Sequence, residues 1–201
     1  MKKNICLLLF VLVQNSFLSA QTELLDSVAL ATHQEYTGLK EAMEEPQNVI
    51  KLTLKRQKYT RFPPEIFQFK NLQYLDLSKN NIREIPDSLY LLKDLQYLIL
   101  SKNTLQALPN NIGTLKNLRY LNINQNEIAR IPYSFGELEN LEVLDMWSNE
   151  LEYVPETLSN LKKLRTVDLR NILIPQNHQD DIQAMLPDAT IYFSPPCRCA
   201  W

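Results

Sequence analysis

Leucine recurs every 23 residues, at Leu72, Leu95, Leu118, Leu141 and Leu164, with Val49 one period earlier. Three positions on stand Leu75, Leu98, Leu121, Leu144 and Val167, and two after those Leu77, Leu100, Ile123, Met146 and Leu169. Asparagine follows at Asn80, Asn103, Asn126 and Asn149. The second half of each unit repeats as well: Ile85-Pro86, Leu108-Pro109, Ile131-Pro132 and Val154-Pro155, then Leu89, Ile112, Phe135 and Leu158, then Leu92, Leu115, Leu138 and Leu161. A unit this short cannot bury its apolar residues alone, so successive units must stack and share one core.

Alternation in L-x-L makes a short strand with one face inward, and the proline-containing half cannot continue a strand or helix and turns outward. Each unit is therefore one coil, and stacking pairs the strands in parallel about 4.8 Å apart, so six make a sheet roughly 24 Å across. An asparagine side chain carries two donors and one acceptor, which lets a buried column of them satisfy loop backbone where no ladder exists, each side chain being expected to serve both neighbouring coils. Asn80, Asn103, Asn126 and Asn149 are read as structural.

This pattern, L-x-x-L-x-L-x-x-N-x-I-x-x-I-P-x-x-L-x-x-L-x-x, resembles the leucine-rich repeat family over about residues 38 to 193. The resemblance implies an α/β solenoid, a right-handed curved coil with a concave parallel β-sheet and an irregular or 3-10 convex side. It also implies a non-enzymatic module that binds a protein or peptide on the concave face. The first unit departs from the pattern with Gln57 at the asparagine position, and the last has Asn171 one residue early and Ile174-Pro175 three early. Both are read as capping variants, since an end coil has no neighbour to cover its core.

The expected organisation is a signal peptide at 1–20, a helical N-terminal cap at 21–47, about six repeats at 48–175 with the first and last atypical, a C-terminal cap at 176–193 and a flexible tail at 194–201. Lys2-Lys3, the apolar run Ile5 to Val13 and the small residue Ala20 support the leader, and Gln14-Asn15 cut the apolar run too short for a membrane anchor. The chain is thus expected to be exported, to the periplasm or beyond, with no membrane anchor after cleavage. In the N-terminal cap Thr37 is expected to cap a short helix through Leu39, Ala42 and Met43 that stops at Pro46, and another helix is expected within residues 22–35. After Pro175 a helix through Ile182, Met185 and Leu186, then a strand at Thr190 to Phe193, closes the far end.

Residues beside the strand leucines point to the open face of the sheet. They place Tyr74, Tyr97 and Tyr120 in one column, Asp76, Ile99, Asn122, Asp145 and Asp168 in a second, and Asn124, Trp147 and Arg170 in a third. Tyr, Trp and Arg are enriched in binding hot spots, so these eleven residues are the candidate concave-face site. The plain alternative is a tyrosine ladder that only supports the sheet. A carbohydrate or cell-envelope polymer is the other ligand class for the same Tyr/Trp stripe. Asp145 and Asp168, on adjacent strands, raise a hydrolase or calcium site as a remote reading, weakened by the open sheet and the missing acidic loop motif. Arg170 beside Asp168 offers an ordinary ion pair instead.

Lys51, Lys55, Arg56, Lys58 and Arg61 form a run without an acid. It either docks an anionic partner or keeps an end strand from pairing with another chain, the latter being the commoner use of lysine at a sheet edge. Cys197 and Cys199 either pair in a small strained ring or bond another chain. Three glycines are too few and too scattered for a phosphate-binding loop. Two histidines and three cysteines have no zinc-site spacing, and a net charge of −2 lacks the footprint of a nucleic-acid binder. No cofactor and no metal are called for, and the oligomeric state is open.

Overall fold

Every L-x-L triplet forms a strand, and one more strand is added at each end. A computed structural model describes residues 23–195; the expected leader and the Cys197–Cys199 pair lie outside them. The strands are β1 (Glu35–Tyr36), β2 (Lys51–Thr53), β3 (Tyr74–Asp76), β4 (Tyr97–Ile99), β5 (Tyr120–Asn122), β6 (Val143–Asp145), β7 (Thr166–Leu169) and β8 (Thr190–Phe193). They form one eight-stranded parallel sheet in chain order. The register is the sequence period: Leu75 faces Leu98, Leu98 faces Leu121, and Leu121 faces Leu144. Because side chains alternate, that register puts every strand leucine on the core side, where Leu52, Leu75, Leu98, Leu121 and Leu144 have no solvent exposure.

The outer wall is built of 3-10 turns at Pro64–Gln68, Asp87–Leu91, Ile112–Thr114, Tyr133–Glu137 and Glu156–Asn160. Pro63, Pro86, Pro132 and Pro155 precede four of them with φ between −66° and −71°, the angle that the pyrrolidine ring imposes. Coils touch closely here. A Cβ on Gly113 would lie 2.0 Å from the Ser134 carbonyl oxygen, and one on Gly136 2.3 Å from that of Thr157, so both glycines serve the approach of neighbouring turns.

The asparagine column works as expected, with one correction. Asn126 Oδ1 accepts from the Leu105 amide at 3.0 Å, while its Nδ2 donates to the carbonyls of Leu100 and Ile123 at 3.1 and 2.9 Å. Asn80, Asn103 and Asn149 repeat this set on Tyr59, Ile82 and Ile128 amides. Each side chain thus ties its own coil to the preceding coil only, rather than to both neighbours. The carbonyls are shared instead: Leu77, Leu100 and Ile123 each accept from two successive asparagines.

The N-terminal cap differs most from expectation. Helix α1 (Ser27–Thr32) is capped by Asp26, whose carboxylate accepts from the Val28 and Ala29 amides. Helix α2 (Leu39–Ala42) begins at Gly38 without a side-chain cap, not at Thr37, and Pro46 opens a 3-10 turn at Pro46–Asn48 instead of ending the helix. Between the helices β1 pairs with β2, so β2 is not an edge strand. That removes the edge-protecting reading of the basic run. Two buried glutamines hold the segment before α1: Gln73 Oε1 accepts from the Leu25 amide at 2.9 Å, and Gln96 Nε2 donates to the Leu25 carbonyl at 2.8 Å. At the other end α3 (Gln176–Met185) follows Pro175 and buries Ile182, and β8 lies against β7 with Ile191 and Phe193 packed on the core.

Candidate functional site

The open face of the sheet carries three side-chain columns held at strand spacing by the common register. Tyr74 faces Tyr97 and Tyr97 faces Tyr120 in neighbouring strands. Their ring centroids are 6.0 and 5.9 Å apart, within the range of favourable aromatic pairs. Lys51 extends the stack, its ammonium 5.3 Å from the Tyr74 ring centre and 3.8 Å from Glu35 on β1. Burial, then Asp76, Glu35 and Tyr120, push the Tyr74 hydroxyl up to about 12, so it stays protonated. The ladder reading is therefore real as geometry, yet all three rings also keep part of their surface open to solvent.

In the second column the side chains turn back onto their own loops. Asp76, Asn122 and Asp168 accept from the amides two residues on, those of Ser78, Asn124 and Arg170. This folding back, reinforced by neighbours one strand away, buries two residues expected to be open. Asp76 is buried with its bond to Ser78, and Asn124 is buried with Nδ2 donating to Asp145 Oδ2 at 2.7 Å. Neither presents a free side chain to a ligand. Ile99, Asn122, Asp145, Trp147 and Asp168 are partly exposed, and Arg170 is exposed. Asn122 also donates to the Tyr120 hydroxyl at 3.3 Å, which ties it to the ladder.

Asp145 and Asp168 sit opposite one another on β6 and β7, as the spacing implied. Their environments diverge. Burial raises the Asp145 carboxyl and the nearby Asp168 adds to this, against the bond from Asn124, and its Oδ1 is buried without a partner. Burial also works to raise Asp168, but Arg170 outweighs it and holds that carboxyl below its ordinary value. The guanidinium grips both oxygens, with Nε at 2.9 and 3.1 Å and a terminal nitrogen at 2.5 Å, and lies 5.7 Å from the Tyr192 ring centre on β8. The basis is an ion pair, and it commits Asp168 to Arg170.

Beyond the strand ends runs a fourth column that the sequence reading did not separate out. Arg56, Lys79, Lys102, Gln125, Ser148 and Asn171, 23 residues apart, all have φ between 52° and 60°. Each amide through Ser148 bonds the next coil: Arg56 to the Ser78 carbonyl, Lys79 to Ser101, Lys102 to Asn124, Gln125 to Trp147 and Ser148 to Arg170, all at 2.9 to 3.1 Å. The repeat itself was the signal, since these residues stand just before the asparagine column or its counterparts in the end coils, Gln57 and Ile172. A small apolar cleft lies elsewhere, between α3 and the last coil, lined by Leu151, Val154, Ile174, Ile182 and Met185. Among the described residues no helix is long and apolar enough to cross a membrane.

A family model described as leucine rich repeat matches residues 47–105, 94–151 and 116–174. No curated protein matches the sequence. Among solved structures, a leucine-rich repeat protein of Leptospira interrogans is 29% identical with a TM-score of 0.63, over 80% of this chain and 46% of that one. Internalin C2 of Listeria monocytogenes is 22% identical with a TM-score of 0.66, over 79% of this chain and 66% of its own, a likeness of fold. A plant peptide hormone receptor, solved in complex with the peptide RGF2, is 29% identical with a TM-score of 0.63, over 80% of this chain and 26% of its own. The chain thus spans less than two thirds of the length of each of these proteins.

Proposed function

The chain belongs to the leucine-rich repeat family, and on that premise we propose that it is an exported, non-enzymatic binding module whose concave face holds a protein or peptide ligand. Members of the family commonly bind proteins or peptides, and the plant receptor above is one solved with its peptide. The observation that carries the reading for this chain is the partly exposed stripe of Tyr97 on β4, Tyr120 on β5 and Trp147 in the loop that follows β6. Such rigid amphipathic anchors in mid-surface supply most of the energy of an interface. Arg170 and Asp145 border them with polar groups that sheet stability does not require. A catalytic use of Asp145 and Asp168 is disfavoured because Arg170 already occupies the second carboxylate and the sheet is open to water.

The test is affinity capture from envelope and secreted fractions with the chain starting at Gln21, the residue at which intact mass should place the exported form. Tyr120→Ala and Trp147→Ala should lose the ligand, while Glu137→Lys on the outer wall should retain it. A ligand that survives protease treatment of the fraction points to a glycan, and capture lost only in the outer-wall variant moves the site off the concave face.

A further inference from the structure

The basic run and the left-handed column converge on one surface. We propose that Arg56, Lys79 and Lys102, with Lys55 and Lys58 beside them, form an anchoring strip for a short acidic segment of a protein ligand. The inference rests on the concave-face reading and adds the chemistry of the partner.

Arg56, Lys79 and Lys102 stand at the same place in three successive coils, joined rung to rung by the backbone bonds above, so their stems are spaced about 4.8 Å apart. All three hold φ between 57° and 60°, a region that disfavours side chains with an ordinary Cβ and favours glycine or asparagine. A chain shaped for stability alone would place asparagine here, as it does at Asn171. Instead it lines up like charges. Lys55, Arg56, Lys58 and Lys102 are exposed, and Lys79 partly so. Among the described residues none of the five has a carboxylate within ion-pair distance, whereas Lys116, Arg119, Arg130 and Arg170 each have one. Crowding shows in Lys79, whose ammonium is pulled below its ordinary 10.5 by Arg56 first, then burial, Lys102 and Lys55, against the smaller opposing pull of the Asp76 carboxylate.

Protection of a sheet edge does not explain the strip, because β1 covers β2. Its length selects the occupant. The column turns neutral at Gln125, Ser148 and Asn171, so the cations span three coils and stop, which matches a few carboxylates rather than a long polyanion that would need charge along the whole rim. The strip lies three residues past the ends of β3 and β4, strands that begin with Tyr74 and Tyr97, so an extended ligand running along a strand spans from the tyrosines to the strip.

The experiment titrates a labelled ten-residue glutamate peptide into the chain at low salt, by fluorescence anisotropy. Wild type should bind it, about tenfold more weakly once salt screens the charges. The variant R56N/K79N/K102N should bind at least about tenfold more weakly still than wild type at low salt, and its melting temperature should equal or exceed that of wild type, since asparagine suits the left-handed backbone. The charge-matched outer variant K70N/K93N/K162N should bind as wild type. Equal weakening in both variants, or a lower melting temperature in R56N/K79N/K102N, overturns the proposal, because the cations then act through net charge or structure. Binding of inorganic polyphosphate without binding of the glutamate peptide overturns it in favour of a non-protein polyanion. Failure of the glutamate peptide while Trp147-dependent capture persists sinks this inference alone; the reverse pattern sinks the concave-face reading.

Discussion

Replacing Asn126 by leucine should cost about 1 to 3 kcal/mol, and replacing Asn80 or Asn149 should cost about twice as much. The difference follows from how the carbonyls are shared. When Asn126 is lost, the Leu100 carbonyl keeps Asn103 at 2.9 Å and the Ile123 carbonyl keeps Asn149 at 3.0 Å. Only the Leu105 amide is orphaned, one buried donor whose desolvation is no longer offset. Asn149 has no successor, because Ile172 stands where the next asparagine would be. Its loss orphans both the Ile128 amide and the Met146 carbonyl, which accepts from Asn149 at 2.8 Å. Asn80 has no predecessor, since Gln57 replaces it, and its loss orphans the Tyr59 amide and the Leu54 carbonyl. Urea melts give the stabilities, and hydrogen exchange at Leu105 and Ile128 reports the named amides directly. Asn122→Ala, which removes one side-chain bond to Tyr120 and one to the Asn124 amide, serves as the smaller loss. If Asn126→Leu costs as much as Asn149→Leu, or Asn122→Ala as much as either, carbonyl sharing is not what joins the coils.

Tyr97 stacks on both neighbours, so Tyr97→Ala should lose about 1 to 3 kcal/mol of stability, two aromatic pairs' worth, in the same urea melts. Trp147→Ala should spare stability but weaken ligand capture by about 1 to 4 kcal/mol, read as the shift in Kd. Asp145→Asn should stabilise the fold near neutral pH. The raised carboxyl means the folded chain holds its proton longer than the unfolded one, so wild type loses stability as pH climbs from 3.8 through the higher folded value. The variant's advantage should thus be full at about pH 7 and vanish at about pH 3, and a gain independent of pH would contradict the burial cause. Gly136→Ala should cost about 1 to 3 kcal/mol through its clash with Thr157, while Gly38→Ala, with nothing within 4 Å, should cost no more than a few tenths.

The period by itself determined the coil, the parallel register and the identity of the core residues, because a repeated L-x-x-L-x-L leaves one way to bury every leucine at once. It determined the asparagine column for a similar reason: an amide repeated beside a strand end has only backbone to satisfy. It also placed Tyr74, Tyr97, Tyr120 and Trp147 on the open face, since alternation along a strand is strict. What it did not hold is anything that depends on side chains meeting across coils. Asp76 and Asn124 belong to the open face by alternation and are buried by neighbours one strand away and by their own loops. Strand β1 has two residues, no repeat and no apolar pattern, and exists because Lys51 and Leu52 offer it an edge. Nothing in the period marks Gln73 and Gln96 for burial; they are buried where residues 23–25 cross over them and need a donor and an acceptor. The cation strip lies between these cases. Its spacing is written in the period, but its backbone conformation and its lack of carboxylate partners arise only when the coils are stacked, because the bonds that hold each rung join residues 22 apart in the chain.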